Sequence, residues 1–210
     1  MTKQIFPLAL GGLAIGTTEF IIMGLLPDVA KDLGVSIPIA GHLISAYAFG
    51  VVVGAPILVA LSSKFPPKNI LIVYMILFTL FNALSIIAPD YNTLLMSRFL
   101  AGLPHGAFFG VGTIVAIKLS KKGKEAQAVS SMFTGLTLAI LLLVPFLTYI
   151  GHNTSYKWAF LIVSLLGIFT ILALIKFMPK LKSLKTVTFK EEIEFFLTFK
   201  AWHIILIVAI

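Results

Sequence analysis

The segment IFPLALGGLAIGTTEFIIMGLLP, residues 5–27, decides the fold of this protein. It is apolar over a length that can cross a bilayer, because the hydrocarbon core requires roughly 20 mostly apolar residues in a helix. Lys3 precedes it, as a basic residue precedes a secretory signal, but Glu19 lies in its middle. The apolar core of a cleaved signal peptide carries no charge. We therefore interpret the segment as a retained membrane-spanning helix.

Five further apolar stretches follow the first, and the short connections between them hold the turn residues and nearly all the charge. They cover residues 39–61, 70–88, 93–117, 126–150 and 158–175. The runs are continuous and do not alternate with polar residues, which predicts helices rather than the strands of a membrane barrel. The sequence therefore predicts an all-α membrane protein with a bundle of six spans.

The composition excludes several classes of protein. Apolar residues make up 59% of the 210 residues and charged residues 11%, and the mean hydropathy is +1.07. An ordinary globular domain is about 25% charged, and a small soluble domain leaves too much surface in water to hide this apolar content. We therefore exclude a soluble enzyme, a disordered chain and a nucleic-acid binder.

Catalytic and metal-binding motifs are also missing from the sequence. The chain has no cysteine, which excludes thiolate metal sites and cysteine nucleophiles. It contains no His-Glu-x-x-His, Gly-x-Ser-x-Gly or P-loop motif. We therefore predict that the protein is not an enzyme and has no metal site and no cofactor.

The placement of lysines predicts the orientation of the spans, because cytoplasmic loops carry an excess of Lys and Arg. The connections on one side hold only Lys31 and Lys157, together with three aspartates. The other side holds thirteen lysines: Lys3, Lys64, Lys68, Lys118, Lys121, Lys122, Lys124, Lys176, Lys180, Lys182, Lys185, Lys190 and Lys200. We therefore predict a multi-pass protein of the plasma (inner) membrane with a cytoplasmic N-terminus. Topology and contact with anionic lipids then explain the net charge of +8.

The chain divides into three parts. Residues 1–179 are predicted to form the six-span bundle, and residues 180–200 a polar cytoplasmic linker. Within the linker, Thr188 and Glu191 match a capping box. Phe189, Ile193 and Phe196 follow at helical spacing, so the linker is either a short interfacial helix or a solvated connection.

Residues 201–210 begin a seventh apolar run. As a helix they would reach only ~15 Å, about half a bilayer. A helix that ended there would leave its last carbonyl groups unpaired in hydrocarbon. We therefore expect either a fragment of a protein about twice as long or a truncated gene product.

The ionisable side chains of Glu19, Arg98 and His105 lie inside the predicted spans. A charge at mid-membrane costs several kcal/mol, so it normally faces a cavity or a partner and marks a transport pathway. From the rise of a helix, Glu19 is ~21 Å from the cytoplasmic start of its span and Arg98 ~8 Å below the outer surface. In a core of ~30 Å these heights are similar. The two side chains can therefore pair if the first and fourth helices adjoin, and His105 lies near the midplane.

Each of the three side chains has a functional and a structural interpretation. Glu19 fits a protonatable carrier, because burial favours its neutral form and a nearby guanidinium favours its charged form. Arg98 cannot lose its proton, so its part would be that of an electrostatic anchor or gate. His105 could relay protons. The alternatives are an inert ion pair that joins two helices and a histidine that bonds to the backbone.

Small and kinking residues predict how the spans pack. Pro104 and Pro145 are expected to kink the fourth and fifth spans, as in broken helices around a cavity. Glycines at one-turn spacing let helix backbones approach closely. They occur in the first, second and fourth spans, as Gly12, Gly16, Gly50, Gly54, Gly102, Gly106 and Gly110.

Three blocks of sequence within the spans are more specific. The first combines GTTEF, GLLP and DLGVS at residues 16–20, 24–27 and 32–36. The second extends from Arg98 to HGAFFG at residues 105–110, and the third is MFTGLT at residues 132–137. Together they resemble the N-terminal half of a major facilitator superfamily transporter, in the arabinose-efflux-like branch of drug and sugar exporters. The resemblance covers most of the six spans.

The resemblance implies twelve spans in two six-helix halves, each half made of two inverted three-helix repeats around a midplane site. It also implies export of small molecules against proton entry, with Glu19 and Arg98 in proton coupling.

The chain departs from the family pattern at two places. The loop between the second and third spans, a gating loop in the family, usually carries Gly-x-Leu-x-Asp-Arg-x-Gly-Arg-Arg. Here it is LSSKFPPK at residues 61–68, which keeps positive charge at Lys64 and Lys68 and lacks the Asp and the Gly. The antiporter signature Gly-x-x-x-Gly-Pro is ILLLVP at residues 140–145, in which only Pro145 remains.

We therefore expect the N-terminal half of a proton-coupled exporter of small organic molecules such as drugs or sugars. Its partners would be the lipid bilayer, the substrate, protons and the C-terminal half of the same transporter. Two alternatives stay open. One is a facilitator or proton symporter of the same fold, in which Glu19 and Arg98 form only a structural lock. The other is a truncated membrane protein that does not transport.

Overall fold

A computed structural model of the chain describes residues 3–62, 64–182 and 198, and every regular element in these ranges is a helix. The elements are α1 (Phe6–Gly24), α2 (Leu26–Asp32), α3 (Ile37–Ser62), α4 (Pro67–Ile87), α5 (Tyr91–Leu119), α6 (Glu125–Leu138), a π-helical segment (Ala139–Leu143), α7 (Val144–Asn153) and α8 (Lys157–Phe177). Six segments are long and apolar enough to cross a membrane: α1, α3, α4, α5, the run from α6 to α7, and α8. The predicted all-α fold with six spans is confirmed.

The first span is shorter than the predicted segment 5–27. Helix α1 ends at Gly24, and Pro27 lies in the first turn of the separate helix α2. Proline has no backbone N–H, so Pro27 cannot donate to the carbonyl one turn earlier and extend α1. Helix α2 is followed by Gly34, whose φ of +64° is in the left-handed region that glycine adopts without a steric penalty.

The fifth span, predicted at residues 126–150 with a kink at Pro145, is divided into two α-helices. The π-helical segment separates α6 from α7, and Pro145 lies in the first turn of α7. The missing N–H of Pro145 interrupts the α-helical hydrogen-bond ladder, and a π-turn is one way in which a helix accommodates such a break. The other proline, Pro104, lies inside the single helix α5. The kinks at both prolines stay predictions.

The helices pair in a pattern with internal symmetry. Helix α1 packs against α6 and α8, α3 packs against α5, and α4 packs against α5 and α8. Exchanging the first, second and third spans with the fourth, fifth and sixth maps this set of pairs onto itself. Since each repeat has three spans, an odd number, the second repeat is inverted in the membrane relative to the first. The predicted 3+3 arrangement is confirmed.

Glycines set the closest helix contacts. A Cβ atom on Gly102 of α5 would overlap the carbonyl oxygen of Tyr47 in α3, and a Cβ on Gly50 would overlap that of Phe99 in α5. Gly135 of α6 lies equally close to the backbone of α1. The close approach that glycine spacing predicted for the second and fourth spans is therefore confirmed.

The outer surface of the bundle is apolar. Phe49, Val52 and Ile87 are each more than half exposed, at 60%, 70% and 73%. Such side chains suit contact with lipid, where apolar exposure has no cost. The predicted interfacial helix, with Thr188 and Phe196, and the predicted seventh span at residues 201–210 lie outside the described residues.

Candidate functional site

A layer of buried polar side chains divides the interior of the bundle. An apolar cluster that includes Ile15, Phe78 and Ala107 lies on one side of it, and a second cluster that includes Ile21, Ala88 and Leu94 lies on the other. The layer is built from α1, α4 and α5, and its members have no exposed surface: Thr18, Asn82, Ser85, Ser97 and Arg98. Polar groups at this depth need internal partners, because hydrocarbon offers none.

Arg98 is the charged member of the layer. Its Nη1 donates to the hydroxyl oxygen of Thr18 and its Nη2 to the Thr18 carbonyl oxygen, both at 3.1 Å. Its Nε has no hydrogen-bond partner within the described part of the chain. Two bonds from one guanidinium to one residue fix both position and orientation. Arg98 therefore ties α5 to α1 at Thr18.

Aromatic rings cover the rest of the Arg98 side chain. The guanidinium carbon lies 4.4 Å from the centre of the Tyr47 ring and 5.7 Å from that of Phe160. Both separations are within the range of a cation–π interaction, which is stronger away from water. The Tyr47 hydroxyl and Nδ1 of His105 form a hydrogen bond of 3.0 Å. Arg98 and His105, both predicted site residues, are thus connected through Tyr47.

Glu19 is close to this group but does not pair with it. No ion pair joins Glu19 to Arg98 in the ranges that the structure describes, where the one ion pair is between His152 and Asp28. Successive residues of an α-helix point about 100° apart. Since Thr18 faces Arg98, the Glu19 side chain points to a different side of α1, where it is half-buried. The ion pair that similar depth permitted is not formed in this arrangement.

Thr18 also contacts α4. Its hydroxyl donates to Oδ1 of Asn82 at 2.5 Å, and Nδ2 of Asn82 donates to the carbonyl oxygen of Phe78 at 2.8 Å. One turn further along α4, the hydroxyls of Ser85 and Ser97 form a hydrogen bond of 2.8 Å. The polar layer therefore links three spans through side-chain hydrogen bonds.

The predicted gating loop makes a different contact. Nζ of Lys68, at the start of α4, donates to the carbonyl oxygens of Ile175 at 2.8 Å and Met178 at 2.6 Å. These carbonyls are at the end of α8, where a positive charge complements the helix dipole. Lys64 is exposed. Lys68 therefore clamps the loop to the end of the sixth span, and a gating role for either lysine stays a prediction.

Other ionisable side chains meet at the opposite end of the bundle. Nδ1 of His152 lies 2.6 Å from Oδ2 of Asp28, which joins the end of α7 to α2. Burial, with Asp32 nearby, raises the pKa of Tyr156 to about 12. Among the described residues no group of three His, Asp or Glu side chains is arranged to hold a metal ion.

Thr18, Tyr47 and Asn82 are members of the site that the sequence pattern did not predict. Thr18 lies within the quoted GTTEF block, and Asn82 is a polar residue inside an apolar span, which is a usable signal. Tyr47 gave no signal, because a tyrosine in an apolar stretch is as well explained by packing.

Comparison with known proteins places this geometry in a family. The sequence profile of the Major Facilitator Superfamily matches residues 8–210. The inner membrane transport protein YdhP of Escherichia coli (strain K12) is 50% identical over 173 residues, which cover 82% of this chain and 44% of YdhP. AraJ of the same strain is 40% identical over 204 residues, 97% of this chain and 52% of AraJ. The chain spans about half the length of these relatives.

Solved structures share the fold at low sequence identity. The proton:xylose symporter XylE is 13% identical with a TM-score of 0.75. The match covers 85% of this chain and 44% of the XylE chain. A peptide transporter, POT, is 15% identical with a TM-score of 0.76. The match covers 100% of this chain and 47% of the POT chain. The relatives and the family are transport proteins, which confirms the prediction that the chain is not an enzyme. By its sequence profile, its relatives and its repeated three-helix fold, the chain belongs to the Major Facilitator Superfamily.

Proposed function

We propose that this chain is the N-terminal half of a proton-coupled exporter of small organic molecules, with Glu19 as the group that takes up and releases the proton. The observation that carries the proposal is the position of Glu19 immediately after Thr18, the residue that holds the buried Arg98 guanidinium. A carboxyl group beside a buried cation, but not bonded to it, can exist in either protonation state. Small movements of α1 against α5 would then favour one state or the other.

The energetics support a functional role for Arg98 and Glu19. Arg98 is fully buried and has no carboxylate partner among the described residues. An unpaired charge inside a membrane protein costs several kcal/mol, and such residues are kept mainly at transport pathways. Glu19 is the only acidic residue within the six predicted spans. Release of its proton would create the missing partner for Arg98.

The second half of the transporter is part of the proposal. The relatives are about twice as long as this chain, which covers 44% of YdhP and 52% of AraJ. A half with two inverted repeats forms one wall of a central site, and a second half forms the other. We place the lysine-rich ends of the spans, with Lys68 and Lys124, in the cytoplasm of a plasma-membrane protein. Sequencing downstream of codon 210 should reveal ~190 further residues with five and a half spans.

The test of function uses the full-length transporter in inside-out membrane vesicles with an acidic lumen. Two probes are offered from outside, radiolabelled L-arabinose and the fluorescent cation ethidium. The wild type should accumulate at least one probe, and Glu19→Gln should reduce accumulation to the level of empty vesicles at equal abundance. Glu125→Gln is the matched control, because Glu125 lies at the start of α6, outside the polar layer, and accepts from the Gly123 N–H.

Two outcomes would contradict the proposal. Equal accumulation by wild type and Glu19→Gln would remove Glu19 from proton coupling. Accumulation driven by an alkaline lumen instead of an acidic one would identify a symporter of the same fold.

A further inference from the structure

Thr18 is the point at which α1, α4 and α5 are joined by hydrogen bonds. Its hydroxyl donates to Oδ1 of Asn82, and the same oxygen accepts from Nη1 of Arg98. A hydroxyl has one proton to donate and two lone pairs that accept. Thr18 therefore uses its donor toward α4 and an acceptor toward α5.

The Asn82 amide of α4 determines which atom donates and which accepts in these bonds. The carbonyl oxygen of Phe78 can only accept, so it binds the NH₂ end of the Asn82 amide, at 2.8 Å. The carbonyl end of Asn82 then faces Thr18, and the Thr18 hydroxyl must donate to it. The lone pairs of the Thr18 hydroxyl oxygen then point toward Arg98, whose guanidinium can only donate. Replacing Asn82 would therefore disturb the orientation of the Thr18 hydroxyl that binds the cation.

Two acceptors on α1 are therefore available to one cation. Thr18 binds Arg98 in this arrangement, and the next residue, Glu19, offers a carboxylate when it is ionised. A guanidinium bonds more strongly to a carboxylate than to a hydroxyl and a carbonyl. The arrangement in which Arg98 binds Thr18 is thus the one expected while Glu19 carries a proton.

Few other charges can influence this competition. Among the titratable groups of α3 and α5, Tyr47 and His105 bond to each other, and His42 lies beside Tyr91 at the start of α5. Residues 126–151, which lie within the fifth span, contain no Asp, Glu, Lys, Arg or His. The lysines of α4 and α8 lie at the ends of those helices. Among the helices that the structure describes, Arg98 is therefore the only full charge from a neighbouring helix at the level of Glu19.

We propose that Thr18 is an alternative binding place for the Arg98 guanidinium, in competition with Glu19, and that Asn82 controls its strength by orienting the Thr18 hydroxyl. Thr18 and Asn82 are then positioning residues for proton coupling, which act on Glu19 through Arg98. When Glu19 releases its proton, the guanidinium moves from Thr18 to the new carboxylate. This inference rests on the proposed function, since it assigns the control of the same proton site.

The test measures the protonation of Glu19 directly in the full-length protein. Dicyclohexylcarbodiimide reacts with protonated carboxyl groups in apolar surroundings, and mass spectrometry of the peptide that contains Glu19 gives the labelled fraction at each pH. The variants are Thr18→Val, which removes the hydroxyl at nearly constant volume, Thr18→Ser, which keeps it, and Asn82→Ala. Thr17→Val is the matched control, because the Thr17 hydroxyl is also buried but bonds within α1, to the carbonyl oxygen of Leu13 at 2.6 Å.

Removal of the Thr18 hydroxyl should release Arg98 toward Glu19, and a nearby opposite charge favours the ionised carboxylate. The pH of half-maximal labelling should therefore fall by about one unit in Thr18→Val, since a cation beside an acid has an effect of this size. Asn82→Ala should shift it in the same direction. Thr18→Ser and Thr17→Val should match the wild type.

An unchanged labelling midpoint in both Thr18→Val and Asn82→Ala, or a shift to higher pH, would overturn the inference. So would an equal shift in Thr17→Val, because it would show a general effect of buried threonines. The proposed function fails separately, through the vesicle assay: a labelling shift without any proton-driven transport would leave the competition for Arg98 standing and reject the exporter.

Discussion

The guanidinium carbon of Arg98 lies 4.4 Å from the centre of the Tyr47 ring, a contact that joins α5 to α3 at the level of the polar layer. The hydroxyl of the same ring bonds to Nδ1 of His105 at 3.0 Å. Tyr47 thus has two separable functions in the site: its face stabilises a buried cation, and its hydroxyl holds an imidazole.

Substitutions at Tyr47 should separate these two contributions. Tyr47→Phe keeps the ring and loses the hydrogen bond, which should lower the free energy of unfolding by about 1 kcal/mol. Tyr47→Leu also loses the cation–π contact, and for a desolvated cation this adds about 2 kcal/mol. Denaturant unfolding of the full-length protein in detergent measures both. Equal losses in the two variants would show that the ring face does not stabilise Arg98.

Lys68 should contribute to stability through the end of α8. Lys68→Met keeps the aliphatic stem and removes two charge-assisted hydrogen bonds, to the carbonyl oxygens of Ile175 and Met178. We expect a loss of about 1–3 kcal/mol in unfolding free energy. Lys64→Met is the control, because Lys64 lies in the same loop and is exposed. A comparable loss in both variants would mean that loop charge, and not the clamp, is responsible.

Gly102 should not tolerate a larger residue. A Cβ there would overlap the Tyr47 carbonyl oxygen, so Gly102→Ala should force α3 and α5 apart and lower the melting temperature of the full-length protein. Gly110→Ala on the same helix is the control, since its Cβ would meet only the Val59 side chain at 3.7 Å. Alanine is a better helix former than glycine by about 1 kcal/mol, so this variant should be as stable as the wild type or more stable. Similar melting temperatures for the two variants would contradict the close packing.

Acid should weaken the start of α5. The backbone N–H of Thr93 donates to Oδ1 of Asp90 at 2.9 Å, and this bond is the main reason that the pKa of Asp90 is lowered from its ordinary value. An aspartate in an unfolded chain titrates near pH ~4. Because the folded pKa is lower, the stabilisation is complete above that pH and is lost as the pH falls through the folded pKa.

The variants at Asp90 make this pH effect measurable. Asp90→Asn keeps a capping side chain that does not titrate, so its melting temperature should fall less than that of the wild type below pH ~4. Asp90→Ala should melt lower than both at neutral pH, because it lacks the cap. If Asp90→Asn loses as much stability in acid as the wild type, another group is responsible for the acid sensitivity.

Much of the architecture followed from the hydrophobic pattern. The six apolar stretches became six spans because every backbone polar group must be bonded within the membrane, and a helix achieves this locally. The predicted first segment extended past the end of α1 at Gly24, because Pro27, in the first turn of α2, has no N–H with which to continue that helix. A window of apolar residues does not register such a break.

Glu19, Arg98 and His105 were predicted as site residues because an ionisable residue in an apolar span is costly and therefore conspicuous in the sequence alone. Their heights in the membrane were predicted from the constant rise of a helix, ~1.5 Å per residue. Height leaves open which way each side chain points and which helix it faces. The packing of α1 against its neighbours turned Thr18 toward Arg98 and left Glu19 nearby without an ion pair to it. The contact of Arg98 with Tyr47 and that of Thr18 with Asn82 likewise depend on helix rotation and adjacency, which arise from side chains far apart in the chain.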